Sequence, residues 1–406
     1  MRTHWKQRYA QRTQRMTSSA IREILKLTQQ PDVISFAGGL PAPEVFPVDE
    51  IERAASMVLK KYGTEALQYG LTEGYVPLRE LLAARACRPD FEVDVNNVLI
   101  TSGSQQALDL IGKIFIDAGD HVLVETPTYL GALQAWNAYC AEYISAPSDG
   151  DGIIVDGLED HLRMGPKFAY VLPNFQNPTG VTMSLERRVQ IIELMDKYGV
   201  PMVEDDPYGA LRFEGEAIPS IIELDSLFRK GSGKYDGNVI YLSTFSKILA
   251  PGLRLAWVVA PPEVIRKLVQ AKQGADLHTP TFNQMVAYEV LKDGIIDRHL
   301  ETIQDVYYER RNVMLETLEA TCPECVEWTH PQGGLFLWVK LPEQYDANEV
   351  LKATVERKCA FVPGDPFHPN GSGRNTMRLN FSNSTPEQIR FGITCLGEIL
   401  TDMIKD

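Results

Sequence analysis

Short apolar runs and segments of helical period alternate through the first two thirds of the chain. The runs at 97–101 (NVLIT), 121–125 (HVLVE), 153–155, 168–172, 201–204 and 239–242 (VIYL) are rich in β-branched or aromatic residues, so each reads as a buried strand. Between them, Ala107, Leu108, Ile111, Ile114 and Phe115 recur at the spacing of one helix face, and 185–198 repeats that period. This βαβα order predicts an α/β fold, a mostly parallel sheet sandwiched by helices. Within 50–85 two further helical patterns flank LQYGLTEGYVPLRE, where Gly70, Gly74 and Pro77 interrupt the period and leave Tyr69 in a loop.

The pattern changes after about Pro261. Helical periodicity covers 263–275 and then, as one long region, 281–318; hairpin character follows at HPQGGLFLW, a helix near 348–358, and MRLNFS before a last helix. This predicts a smaller α+β domain joined by long helices. The expected division is 1–45 as an N-terminal segment packing with the small domain and the site, 46–290 as the large domain and 291–406 as the small one. The first segment predicts a helix over 21–28, stopped before Pro31, and a turn at Gly38-Gly39 that lets backbone approach a ligand.

Charge narrows the partners. Forty Lys and Arg against fifty-four Asp and Glu give a net charge of -14, which argues against nucleic acid, because such binding needs clustered cations. Small anionic substrates stay compatible where local arginines outweigh the global sign. The scattered cysteines, with no secretory apolar stretch before them, read as reduced thiols of a cytoplasmic protein. Cys322 and Cys325 make a single CxxC near His330, for which a helix-end turn through Pro323 is the simpler account. No apolar run is long enough to cross a membrane. The basic start, MRTHWKQRYAQRTQRM, superficially resembles a transit peptide, but a surface helix with Trp5 and Tyr9 on one side is preferred.

Chemistry collects where strands end. The run at 239–242 leads into STFSKILAPGLR, which sets Lys247 among Thr244, Ser246 and Arg254. Open α/β sheets bind ligands beyond the carboxyl ends of their strands, so this is an amine beside an anion cradle. Pyridoxal phosphate needs both, an amine for its aldehyde and an anchor for its phosphate. The plain alternative is a solvated loop lysine. Ser102-Gly103-Ser104-Gln105 lies where a strand gives way to a helix N-terminus, a phosphate-binding geometry that competes with ordinary serine capping. Tyr129 stands at another strand-to-helix junction, suited to laying its ring on a flat heterocycle or to packing. The motifs PNFQNPTG and EDDPYG place Asn177, Asp205 and Tyr208 at two more exits.

Taken in order, PNFQNPTG, EDDPYG and STFSKILAPGLR closely resemble the fold-type I pyridoxal-phosphate-dependent aminotransferases of class I/II, over about residue 18 to the C-terminus. Lysine followed at seven residues by arginine resembles the 2-aminoadipate and kynurenine aminotransferase subgroup. SSAIREILKLTQ and SFAGGLPAPEVFP are similar to 2-aminoadipate aminotransferases of lysine biosynthesis. The resemblance implies Lys247 as Schiff-base lysine, Asp205 as partner of the ring nitrogen, and Tyr208 with Asn177 as donors to the phenolic oxygen. Asp206 is expected on the opposite face of its strand. It implies Tyr129 as stacking ring, and Ser104, Gln105, Thr244, Ser246, Arg254 and Tyr69 around the phosphate, Tyr69 coming from the partner of a homodimer. For substrate it implies Arg378 on the α-carboxylate together with Asn177 and Gly39, and Arg22 with Ser19 near an acidic side chain. The reaction so implied passes an amino group from an amino acid such as 2-aminoadipate, glutamate or an aromatic or branched-chain one to 2-oxoglutarate, ping-pong. Two alternatives stand: a ligand-sensing aminotransferase-like regulator, disfavoured by the acidic charge and the short stretch before the core, and a pyridoxal-phosphate-dependent lyase or decarboxylase.

Overall fold

The structure, a computed structural model, describes residues 3–16, 24, 32–230 and 233–405. The helix expected over 21–28, with Ser19 and Arg22, lies outside these apart from Ile24, which is helical and buried.

In chain order the main elements are β1 (Ile34–Ser35), α1 (Val48–Ala66), α2 (Val76–Ala86), β2 (Val98–Thr101), α3 (Ser104–Phe115), β3 (His121–Thr126), α4 (Leu130–Asn137), β4 (Glu142–Asp149), β5 (Gly152–Ile153) and α5 (Leu158–Arg163). There follow β6 (Ala169–Val171), α6 (Leu185–Tyr198), β7 (Met202–Asp205), α7 (Ile221–Phe228), β8 (Val239–Thr244), β9 (Ala256–Val259), α8 (Pro262–Gln273) and α9 (Thr281–Lys292). The remainder is α10 (Ile295–Thr321), β10 (Glu327–Trp328), β11 (Phe336–Lys340), α11 (Ala347–Glu356), β12 (Cys359–Ala360), β13 (Val362–Pro363), β14 (Thr376–Asn380) and α12 (Pro386–Lys405).

The large sheet has the order β2-β9-β8-β7-β6-β3-β4-β5. Pairing is parallel from β8 through β7, β6 and β3 to β4, while β9 runs antiparallel to both β2 and β8. Side chains alternate between two buried faces, as a sheet covered on both sides requires. Val122, Val124, Ile240, Leu242 and Val258 meet α3, α4 and α8 on one face. Leu123, Val171, Met202, Val239 and Val259 meet α1, α2, α6, α7 and α9 on the other. The class expected from sequence is therefore present, with three differences. Strands β4 and β9 escape the pattern, because EYISAPSD carries a proline and alternates weakly and AWVV is short between PGLR and PP. The run expected at 153–155 pairs only through β5, as a hairpin edge on β4. The long helical region divides at Gly294, whose φ of +65° breaks the period between α9 and α10.

The second sheet is antiparallel, β10-β11-β14-β13, with its own core formed by α10, α11 and α12. The HPQGGLFLW hairpin is β10 against β11. Cys322 caps α10 and the Val326 N–H returns to Pro323 O, the turn expected there. Ahead of the first helix, Trp5–Gln7 and Gln11–Arg15 form 3-10 turns with Trp5 and Tyr9 exposed, not the surface helix expected. The segment after residue 32 is stitched to the second sheet: β1 pairs parallel with β12, and the Asn380 N–H donates to Phe36 O at 2.9 Å.

Trp136 of α4 ties a helix to the floor of the site. It is fully buried, donates to Leu108 O at 2.9 Å, and stands edge-on to Phe168 and Tyr170. Trp136→Ala is expected to destabilise the chain by ~3–5 kcal/mol in denaturant unfolding, the usual cost of emptying a buried tryptophan site.

Candidate active site

The parallel strands β3, β6, β7 and β8 present their carboxyl ends together, so Tyr129, Asn177, Asp205, Tyr208 and Lys247 come from neighbouring loops, as sheet geometry demands. Arg378 arrives from β14 of the second sheet.

Beyond β8 the chain turns sharply. The Ser246 N–H donates to Thr244 Oγ1 at 3.1 Å, and the Thr244 hydroxyl lies 3.1 Å from Leu255 O and 3.0 Å from Ser246 Oγ. Thr244 thus shapes the turn that aims Lys247 inward. The Lys247 ammonium donates to Gly39 O at 2.6 Å. Burial, then the cations of Arg378 and Arg254, bring its pKa down to about 8.

Asp205 and Asp206 take opposite faces of β7, as expected. Asp205 Oδ2 accepts from the Tyr170 hydroxyl at 2.7 Å, while Asp206 accepts from the Gly209 N–H and the Tyr241 hydroxyl. Burial raises the Asp205 pKa to about 7 against the pull of the Tyr170 hydrogen bond. Its other oxygen, Oδ1, is buried without a hydrogen-bond partner among the described residues.

Arg378 is buried and held at both Nη atoms, while its Nε has no hydrogen-bond partner among the described residues. Its Nη1 donates to Asn177 Oδ1 at 2.7 Å and Nη2 to Ala37 O at 2.7 Å. The guanidinium carbon lies 4.1 Å from the Phe336 ring centroid and 5.1 Å from that of Phe367. Burial lowers its pKa to about 10. Tyr208 stands edge-on to Phe336 with its hydroxyl beside Asn177, and burial, then Tyr129, raises its pKa. Tyr129 is raised by burial and next by Asp205, which puts its ring in the same pocket.

Helix α3 opens on Gly103 with no side-chain cap, so serine capping is not the role of this turn. Ser102 Oγ instead bonds Asp276, and Ser104 Oγ is buried with no partner among the described residues. The Gln105 amide donates to Gly131 O at 2.8 Å, which leaves its backbone rather than its side chain at the helix start. Gly103 has φ +85°, and a Cβ there would lie 2.2 Å from Arg254 Nη2. Arg254 and the N-terminus of α3 therefore enclose one space. Tyr69 stands away from it within one chain, 79% exposed, with its ring edge-on to His278.

These residues fit a phosphorylated pyridine aldehyde. A buried carboxylate with one free oxygen suits a protonated ring nitrogen, an amine of lowered pKa suits the aldehyde, and Arg254, Ser104 and a helix N-terminus suit the phosphate. Sequence reading missed Tyr170, which orients Asp205, Ala37, whose carbonyl meets Arg378, and the two phenylalanines around it. The one signal available was a tyrosine inside the strand FAYVL, whose hydroxyl had to find a buried partner.

Two measurements test this geometry. Capture of pyridoxal phosphate by the cofactor-free chain, followed by absorbance, is expected to quicken with rising pH around a midpoint near 8, since only the neutral amine adds to an aldehyde; Arg378→Gln should move that midpoint upward. Gly103→Ala, which drives a methyl into Arg254, should weaken cofactor binding by about tenfold or more in equilibrium titration, a loss of roughly 1.4 kcal/mol.

The chain matches the family model of aminotransferase class I and II over residues 33–394. It is 46% identical to aromatic-amino-acid aminotransferase 1 of Thermococcus litoralis, over 96% of this chain and 93% of that one. It is 45% identical to the 2-aminoadipate transaminase of Thermus thermophilus, over 98% of each. Among solved structures, alpha-aminoadipate aminotransferase of Thermus thermophilus, complexed with N-(5'-phosphopyridoxyl)-L-leucine, superposes with a TM-score of 0.92 at 43% identity, over 99% of this chain and 100% of the other. With its lysine and acid at the strand ends of that fold and an arginine reaching them from the second sheet, the chain belongs to the class I and II aminotransferases and is a pyridoxal-phosphate-dependent transaminase of fold-type I.

Proposed function

We propose that the enzyme moves the amino group of an L-amino acid, 2-aminoadipate or glutamate first and aromatic or leucine-like ones besides, to 2-oxoglutarate in two half-reactions. The carrying observation is the Lys247 amine, drawn to a pKa of about 8 in one pocket with Arg378 and Arg254. Pyridoxal phosphate, when bound, supplies an aldehyde to take up the amine and a ring to withdraw the electrons left at Cα. Lys247 then carries the proton at Cα, as base and afterwards as acid. Asp205, backed by Tyr170, keeps the ring nitrogen protonated. Tyr208 and Asn177 hydrogen-bond the phenolic oxygen, and Tyr129 covers the ring. Ser104, Gln105, Thr244, Ser246 and Arg254 form the phosphate end.

For substrate, Arg378 clamps the α-carboxylate beside Asn177, a task for a planar fork of donors, and Gly39 lets the N-terminal segment close over it. Arg22 and Ser19 receive an acidic side chain. The 2-aminoadipate and aromatic-amino-acid relatives support a donor range that is acidic or broad. The exposed apolar residues Leu67, Tyr69, Leu71 and Leu277 support a homodimer in which Tyr69 reaches the partner's phosphate end. The chain divides as 1–45, 46–290 and 291–406, the middle part binding cofactor, and works in the cytoplasm.

The deciding experiment is a panel of L-amino acids with 2-oxoglutarate. 2-Aminoadipate is expected to lead, with glutamate formed in equal amount and no ammonia or carbon dioxide released. Lys247→Ala should abolish turnover and the visible band of the loaded enzyme, and Arg22→Ala should raise KM for 2-aminoadipate more than for leucine. Release of ammonia or carbon dioxide without glutamate would make the enzyme a lyase or decarboxylase.

A further inference from the structure

The loop at 173–180 brings Asn177 to Arg378, and the neighbouring Gln176 fixes its shape. Gln176 Oε1 accepts from the Thr179 N–H at 3.1 Å and the Thr179 hydroxyl at 2.7 Å, while Nε2 donates to Pro127 O at 2.7 Å. Behind this loop lies Glu125 of β3, 1% exposed. Its Oε2 accepts the Leu172 N–H at 2.8 Å, at the point where β6 gives way to the loop, and Glu125 lines the same small cavity as the Gln176 side chain. No salt bridge reaches Glu125 among the described residues. Burial raises its pKa to about 8, opposed by the Leu172 hydrogen bond. A buried acid without a counter-ion is costly, so the N–H that donates to it is needed where it is.

Glu125, Gln176 and Thr179 share the wall of a cavity of about 200 Å³, and Lys247, Asp205, Asn177 and Arg378 take no part in that wall. Glu125 therefore reaches the reacting atoms only through the loop. The geometry points to Glu125 as a positioning residue that, by anchoring Leu172 at the root of the loop and lining the same cavity as Gln176, holds Asn177 against Arg378 and so sets the clamp for the substrate carboxylate. This rests on Arg378 being that clamp. Every amino donor and 2-oxo acid carries the same carboxylate, so Glu125 acts on the binding of all of them alike and leaves the proton transfer at Lys247 untouched.

The test uses the cofactor-loaded enzyme with L-2-aminoadipate and L-leucine as donors. The isosteric E125Q keeps an acceptor for Leu172 but offers Gln176 an amide. It is expected to raise KM for both donors by about tenfold with kcat within about twofold. The dissociation constant of 4-methylpentanoate, a carboxylate with no amine to react, titrated against the visible band of the bound cofactor, should rise by the same factor. Thr179→Val, which removes the hydroxyl that donates to Gln176 and accepts from the Val181 N–H within the same loop, should raise KM about threefold. An unchanged KM and dissociation constant in E125Q, or a fall in kcat at constant KM, overturns the inference; if E125Q does not fold, an unchanged KM in Thr179→Val does so. Arg378→Lys separates the two readings: if it raises KM and E125Q does not, only the role of Glu125 falls, whereas no effect of Arg378→Lys removes the clamp and the inference with it.

Discussion

Positive charge crowded around one half-buried amine is the constraint that opens this site to chemistry. Arg378 is fully buried and Lys247 half-buried beside it, so lost hydration and the like charge both press on the amine, while Arg254 adds its cation from the exposed side. The protein resolves the conflict unequally. Arg378 keeps its charge because an amide, a peptide carbonyl and two aromatic faces surround it. Among the described residues Lys247 has only the Gly39 carbonyl, and so its proton is held less firmly than the charge of Arg378. That inequality favours the neutral form of the amine nearer to neutral pH, the form in which an amine is nucleophilic.

The two sheets each supply half of this arrangement. Strand ends of the large sheet deliver Lys247 and Asp205, and β14 of the small one delivers Arg378. Loops bridge them: Phe175, Tyr208 and Leu211 leave the large sheet yet bury their side chains in the small core with Phe36. The pocket is thus a seam whose walls are anchored in separate cores.

Much of this was legible in the sequence, and the reason is physical. Strands covered on both faces are apolar along most of their length, so VLIT, HVLVET, MVED and VIYLST announced themselves, and the polar residues at and just past their ends marked the ligand side. What escaped was decided by distant contacts. Strand β9 is too short to show a period and exists because β2 and β8 both offer it an edge. Nothing in MRLNFS or SFAGG announces that Ala37 would meet Arg378 across some 340 residues, and Glu125 reads only as the polar end of an apolar run until Leu172 is seen to donate to it. Gly294 looked like a tolerable helix interior; only its left-handed backbone shows the break.

The insertion of β9 beside β8 has a mechanical result. Thr244 faces Ala256 in register, so residues 245–255 form a loop pinched shut at its base, and both Lys247 and Arg254 ride on it. Phe245 and Trp257, 4.8 Å apart between ring centroids, lock that base. Any slippage of this strand pair carries the amine and the guanidinium together as one jaw, preserving the span between them while tilting it against Asp205.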